Sequence, residues 1–242
     1  MPAIVDLNES AKSGSAQSLF ALSGVIGTIL FTILTIFAGL LRPGYNQLSG
    51  SGLSELGAGP NGVIWNAGVI LFGLLTIVFA VGLNRGIRSQ GKSSKVGPLL
   101  LAISGAALVG VGVFTAERPT FLIHSIFALV QFASSFLAPL VISRRLKKDA
   151  LWHRYWTYSL ATGFTALVIL ILYLTVVTTQ PPTSDADFSA LAAGTQVVKQ
   201  GGLAPFAGGI QRLFLAIVWI WIEVMAIHLL RLSNQPHPVK TP

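Results

Sequence analysis

Apolar residues in this chain gather into six long runs, at about 19–41, 62–84, 97–116, 121–143, 155–178 and 208–230, separated by short polar gaps. A run of ~20 apolar residues crosses the ~30 Å hydrocarbon core as a helix, because in lipid each backbone N–H and C=O must be bonded within its own segment. None of the runs shows the every-second-residue alternation of a membrane β-barrel. The pattern predicts an all-α fold, a polytopic membrane helix bundle with six transmembrane helices. The bundle, 19–232, lies between polar tails at 1–18 and 233–242, and the first run reads as a retained helix rather than a signal peptide.

Two gaps are long, 42–61 and 179–207, and lie on the same side as the tight turn Ala116–Thr120. In the first, Leu53 and Leu56 give a Gly- and Ser-rich stretch an apolar side, and Gly57 suits the end of a single helical turn. That stretch is expected to lie at the interface or dip into the bundle. In the second, Ser184, Asp185 and Asp187 form a helix N-terminal signature, with Phe188, Leu191 and Val198 as one face and Gly201-Gly202 as the stop. A polar loop is the alternative there. The third run is rich in small residues, and Ala106 and Gly110 have the spacing that lets helices approach closely. A helix-mediated oligomer is the functional version of that feature, and packing within the bundle the preferred one. Trp65, Trp152, Tyr155, Trp156 and Tyr158 read as interfacial anchors.

Charge adds orientation. The formal net charge is +8, yet the basic residues concentrate in the second and fourth gaps, at Arg85, Arg88, Lys92 and Lys95, then at Arg144, Arg145, Lys147, Lys148 and Arg154. By the positive-inside rule both gaps and both termini are cytoplasmic. The expected partners are therefore membrane lipids, with no nucleic acid, since no basic–aromatic platform stands apart from the membrane. Cysteine is absent, which removes disulfides, thiolate ligands and a cysteine nucleophile.

Ionisable groups in or against a membrane are expensive and hence functional candidates. Glu55, Glu117, His124 and Arg212 fall at similar depth on the outer side, with Ser54 and Ser125 nearby. As a catalytic site, Glu55 or Glu117 would be a base, His124 an acid or proton shuttle, and Arg212 and Ser54 ligand-binding groups. As a structural network, Arg212 would pair with Glu55 or Glu117 and pin the loop, which is the preferred reading. Glu223 is the carboxylate well inside a run. Proton relay or ion coordination competes there with pairing to His153 or Arg154 or protonation in place, which are the preferred readings. Bis-histidine haem ligation by His153 and His228, both near the inner face, is a further reading that is not preferred. No histidine pair has metal-ligand spacing, so neither metal nor cofactor is expected.

The run Arg42-Pro43-Gly44-Tyr45, followed by Ser54-Glu55-Leu56-Gly57 ahead of the second span, resembles a prokaryotic membrane family catalogued only as a domain of unknown function, number nine-nine-eight. Glu117, Pro119 and His124 fit its acidic or Pro-containing turn and its histidine near the start of span four, and Gln211-Arg212 fits the polar-Arg pair that begins span six. The resemblance covers most of the chain, although the 179–207 loop is a point of departure. It implies that these positions belong together, and it implies no reaction. The expected protein is thus a prokaryotic cytoplasmic-membrane protein, an accessory or binding component with an outer-face polar pocket or a member of a membrane complex. The alternatives are an outer-leaflet lipid or headgroup hydrolase or transferase using Glu55, Glu117 and His124, and a small transporter. The spans offer a transporter little beyond Glu223, Gln131, Ser134 and Ser135.

Overall fold

The computed structural model describes residues 2–46, 52–87, 95–197, 199 and 201–235. Helices α1 (Pro2–Leu40), α2 (Gly62–Gly86), α3 (Val96–Val113), α4 (Phe121–Leu146), α5 (Trp156–Thr178), α6 (Asp185–Ala192) and α7 (Ala207–Ser233) are joined by connections containing short 3₁₀ turns. All but α6 are long and apolar enough to cross a membrane, from Ser15 in the case of α1. Among the described residues there is no strand. Consecutive spans pack side by side, and α7 closes the ring between α5 and α1. One end of the bundle carries the connections before α2, α4 and α7, and is called here the long-loop end. The other is the basic end.

Close helix approach comes from glycine, though not at the expected pair. Ala106 faces outward. A Cβ on Gly73 would stand 2.5 Å from the Gly105 carbonyl oxygen, and one on Gly105 would stand 2.6 Å from that of Gly73. These reciprocal contacts set the α2–α3 distance. Gly110 serves the α3–α4 contact, with the Phe127 ring against it.

At the basic end, Arg145 is buried rather than directed at headgroups. Its Nη1 donates to Asn84 Oδ1 at 2.9 Å and its Nη2 to the Ile87 carbonyl at 3.1 Å. Trp152 is a wedge and not an interfacial anchor: it is fully buried and its Nε1–H donates to the Gly86 carbonyl at 3.1 Å. Trp156 is only partly buried, with Lys147 Nζ 4.7 Å from its ring centre, as an anchor would be. His228 bonds through Nε2 to the Leu151 carbonyl, and His153 through Nδ1 to that of Lys147. Both rings thus serve the α4–α5 connection. Glu223 accepts from the Thr28 hydroxyl of α1 rather than pairing with His153 or Arg154, so it joins α7 to α1 inside the bundle.

Candidate functional site

At the long-loop end the first connection dips into the bundle. Leu53 and Leu56 of the 3₁₀ turn Leu53–Gly57 are buried, and the Leu53 N–H donates to Gln211 Oε1 of α7 at 2.8 Å. The turn is held from its other side by Arg42, just past the end of α1. Arg42 is 7% exposed, and its guanidinium donates to the carbonyls of Glu55, Ala58 (3.3 Å) and Thr195 (2.9 Å). Burial lowers its pKa, while the carboxylates of Glu55 and Glu117 and the Tyr45 hydroxyl act the other way. One side chain therefore ties α1, the turn and the 179–206 connection together.

Helix α6 docks over the same end. Ser184 caps it as expected, with its Oγ accepting from the Asp187 N–H at 3.2 Å and the Asp187 carboxylate accepting from the Ser184 N–H at 2.8 Å. The helix stops at Ala192, well short of Gly201-Gly202, because Gly194 turns the chain at φ +78°. There it meets Gly59, at φ +77°, so closely that a Cβ on Gly59 would stand 2.9 Å from the Gly194 Cα. Val198, the last residue of the expected face, lies outside the described residues. Phe188 packs edge-on against Phe121 at 5.1 Å, and Arg118 bridges to Asp185 at 2.7 Å while covering the Phe188 ring at 4.8 Å. Lys199 bonds Asp187 at 2.5 Å. With the Ser184 bonds, it holds the Asp187 pKa down at about 2.

Beneath these covers lies a cavity of about 270 Å³, to which all six spans contribute. Its floor is aromatic. Phe31 stacks on Phe72 at 5.1 Å, Trp219 stands edge-on to Phe31 at 5.0 Å, and Phe132 meets Tyr173 at 5.7 Å. Its wall includes Trp65, Val69, Leu108 and Val111, and the polar side chains of Ser54, His124, Ser125, Gln131, Tyr173 and Gln211. His124 is buried, and its Nδ1 bonds the Phe114 carbonyl at 2.7 Å. A carbonyl only accepts, so Nδ1 carries the proton. Gln131 donates to Ser135 at 2.8 Å, and the Ser135 hydroxyl lies 2.9 Å from that of Ser104, so this intramembrane polar chain is occupied in joining α3 to α4. Ser134 donates to the Val130 carbonyl at 2.6 Å.

The sequence candidates therefore divide. Ser54, His124 and Ser125 reach the cavity. Glu55 and Glu117 are outside its lining and hold main chain. Glu55 accepts from the Gly52 N–H at 3.1 Å and the Val197 N–H at 3.4 Å, and Glu117 accepts from the Gly59 N–H at 2.7 Å. Arg212 donates to the Tyr45 hydroxyl and sits 5.6 Å from that ring's centre. Burial pushes the Tyr45 hydroxyl up to about 12, against the opposing charge of Arg212. Sequence reasoning missed Gln211 as a wall residue, Trp65 as the same, and Arg42 as the central guanidinium. Arg42-Pro43 sat in view as a motif, but its three carbonyl partners are main chain and carry no side-chain signal. Among the described residues, no three His, Asp or Glu side chains converge as metal ligands.

Comparison with curated proteins finds no match, and comparison with solved structures finds none. The family described as "Protein of unknown function (DUF998)" matches residues 25–228, a stretch running from α1 through α7 and including both covers and every wall of the cavity. This all-helical multi-pass membrane chain belongs to that family.

Proposed function

We propose that the protein is a binding component of a prokaryotic cytoplasmic membrane, holding an apolar-chain ligand in the long-loop-end cavity. In this reading the long-loop end faces outward and both termini are cytoplasmic. The basic second and fourth gaps support that orientation. The observation that carries the function is the cavity itself: an aromatic floor, a largely apolar wall and a few polar groups. Small-molecule sites have this composition, with apolar walls supplying affinity and a few polar groups fixing orientation. Ser54, Ser125 and His124 would bond the ligand's polar end, and the floor would take its chain. The acid–base alternative through Glu55, Glu117 and His124 draws support from His124 alone, since loop amides hold both carboxylates.

The test is a titration of protein in lipid nanodiscs with dansyl-labelled undecanoic acid, read by energy transfer from tryptophan. Trp65 and Trp219 are both in the cavity lining. Saturable transfer is expected, weakened about tenfold (roughly 1.4 kcal/mol) by Val111→Trp, which fills the cavity. Transfer that never saturates, or is unchanged in that variant, would refute the reading.

A further inference from the structure

The cavity wall is asymmetric. Its lining residues on α1, α2 and α3, and Gln211 and Leu215 of α7, are buried, so at these positions the wall is backed by protein. On α4 the lining residues His124, Gln131 and Phe132 are buried and on α7 Trp219 is partly exposed, but the outward-facing lining residues concentrate on α4 and α5. Phe121 is 37% exposed, Leu129 55% and Val177 38%, with Ser125 and Leu174 partly exposed between them. Phe121, Ser125 and Leu129 are spaced i, i+4, i+8, so they form one stripe along α4. Leu174 and Val177, three apart, form the facing stripe on α5.

These positions lie within the spans, where outward-facing aliphatic side chains meet lipid rather than water. On the water side the described residues supply two covers. Above the stripe Phe188 of α6 covers Phe121, fastened by the Arg118–Asp185 bridge, and the roof is the Leu53–Gly57 turn held by Gln211 and Arg42. Between these covers and the basic end, the outward-facing part of the described wall lies on α4 and α5.

Building on the binding reading above, we infer that the ligand is a bilayer lipid, one of whose acyl chains enters between α4 and α5 from the leaflet at the long-loop end. The chain lies on the floor formed by Phe31, Phe132 and Trp219, and the headgroup side stays level with Ser125 and Ser54. A water-soluble ligand meets α6 and the turn first, whereas a chain from the leaflet meets the aliphatic side chains of Leu129, Leu174 and Val177.

Trp65 reports directly on this. It is in the wall and is 3% exposed, so a lipid outside the protein cannot touch it. Bromine on an acyl chain quenches tryptophan only near contact. The protein is reconstituted in phosphatidylcholine brominated at mid-chain and in its unbrominated counterpart, and the Trp65 emission is taken as the difference between wild type and Trp65→Phe. The expected result is that brominated lipid lowers the Trp65 component by about twofold, and that Ala128→Phe, or independently Ser125→Phe, restores it by blocking the gap. If Trp65 is unquenched while dansyl-undecanoic acid added from solution still binds saturably, lateral access is wrong and the binding reading stands. If neither is observed, both fall. Quenching that survives both blocking variants also overturns the route.

Discussion

Replacing Arg42 by alanine tests how the roof is held. Its guanidinium serves three carbonyls from two different loops, those of Glu55, Ala58 and Thr195, and is itself 7% exposed. Hydrogen bonds to a charged group contribute roughly 1.5–3 kcal/mol each. Against this stands the desolvation of the charge, evident in its lowered pKa. Removing the guanidinium leaves three carbonyls without this donor, at roughly 1–3 kcal/mol for each buried acceptor left unsatisfied, so a net loss of about 3–5 kcal/mol is expected. For a chain of this size each kcal/mol moves the midpoint by roughly 2–4 °C, so Arg42→Ala should lower Tm by about 6–20 °C. The assay is thermal unfolding of detergent-solubilised protein, followed by size exclusion. Hydrogen exchange run alongside should show faster exchange at 52–59 and 193–197, with the α2–α3 contact unchanged. Arg42→Lys should recover only part of the loss, since one ammonium lacks the planar fork that spans three acceptors. A Tm within about 2 °C of wild type would refute the reasoning, because it would mean that water replaces the guanidinium at no cost.

Other consequences are equally specific. Tyr45, with its hydroxyl pushed up to about 12, favours the protonated fold, so its contribution to stability is complete below pH ~10 and is lost as pH rises through about 12. Absorbance titration of tyrosinate should show a late component that shrinks in Tyr45→Phe. Asp187, held at about 2, works in the opposite sense: its contribution is present above its ordinary carboxylate range and is lost as pH falls through about 2. Exchange in α6 should therefore rise at strongly acidic pH, and in Asp187→Asn it should already be faster at neutral pH. Ser184→Ala should loosen α6 by about 1 kcal/mol, seen as faster exchange confined to 185–192. Gly105→Leu puts side-chain atoms where the Gly73 carbonyl stands and should abolish a folded, monodisperse preparation, while the outward-facing Ala106→Leu should leave Tm nearly unchanged.

The fold was legible in the sequence because a bilayer makes one demand, an unbroken apolar helix about 20 residues long, and six runs met it. The capped start of α6 was legible for a similarly local reason, since Ser184 and Asp187 satisfy the first-turn amides themselves. What escaped depended on tertiary partners. Leu53 shows that the turn has an apolar side, but only the Gln211 side chain, 158 positions away, fixes it as a roof. Glu55 and Glu117 looked like acid–base candidates by type, yet amide N–H groups, which every residue except proline possesses, are among their partners. Trp65 and Trp152 have the composition of interfacial anchors, and burial alone distinguishes a wall or a wedge from an anchor. Arg145 contributed to the charge asymmetry just as an exposed arginine would, although it is bonded inside the bundle to Asn84.

The most direct test of the account is a cryo-EM map of the protein in lipid nanodiscs. The account predicts an elongated density in the cavity, running from the Ser54–Ser125 level down to Trp219 and continuous with the leaflet through the gap between α4 and α5. A cavity collapsed onto Trp65, or one open to water beneath a displaced α6 and closed to lipid, would contradict it.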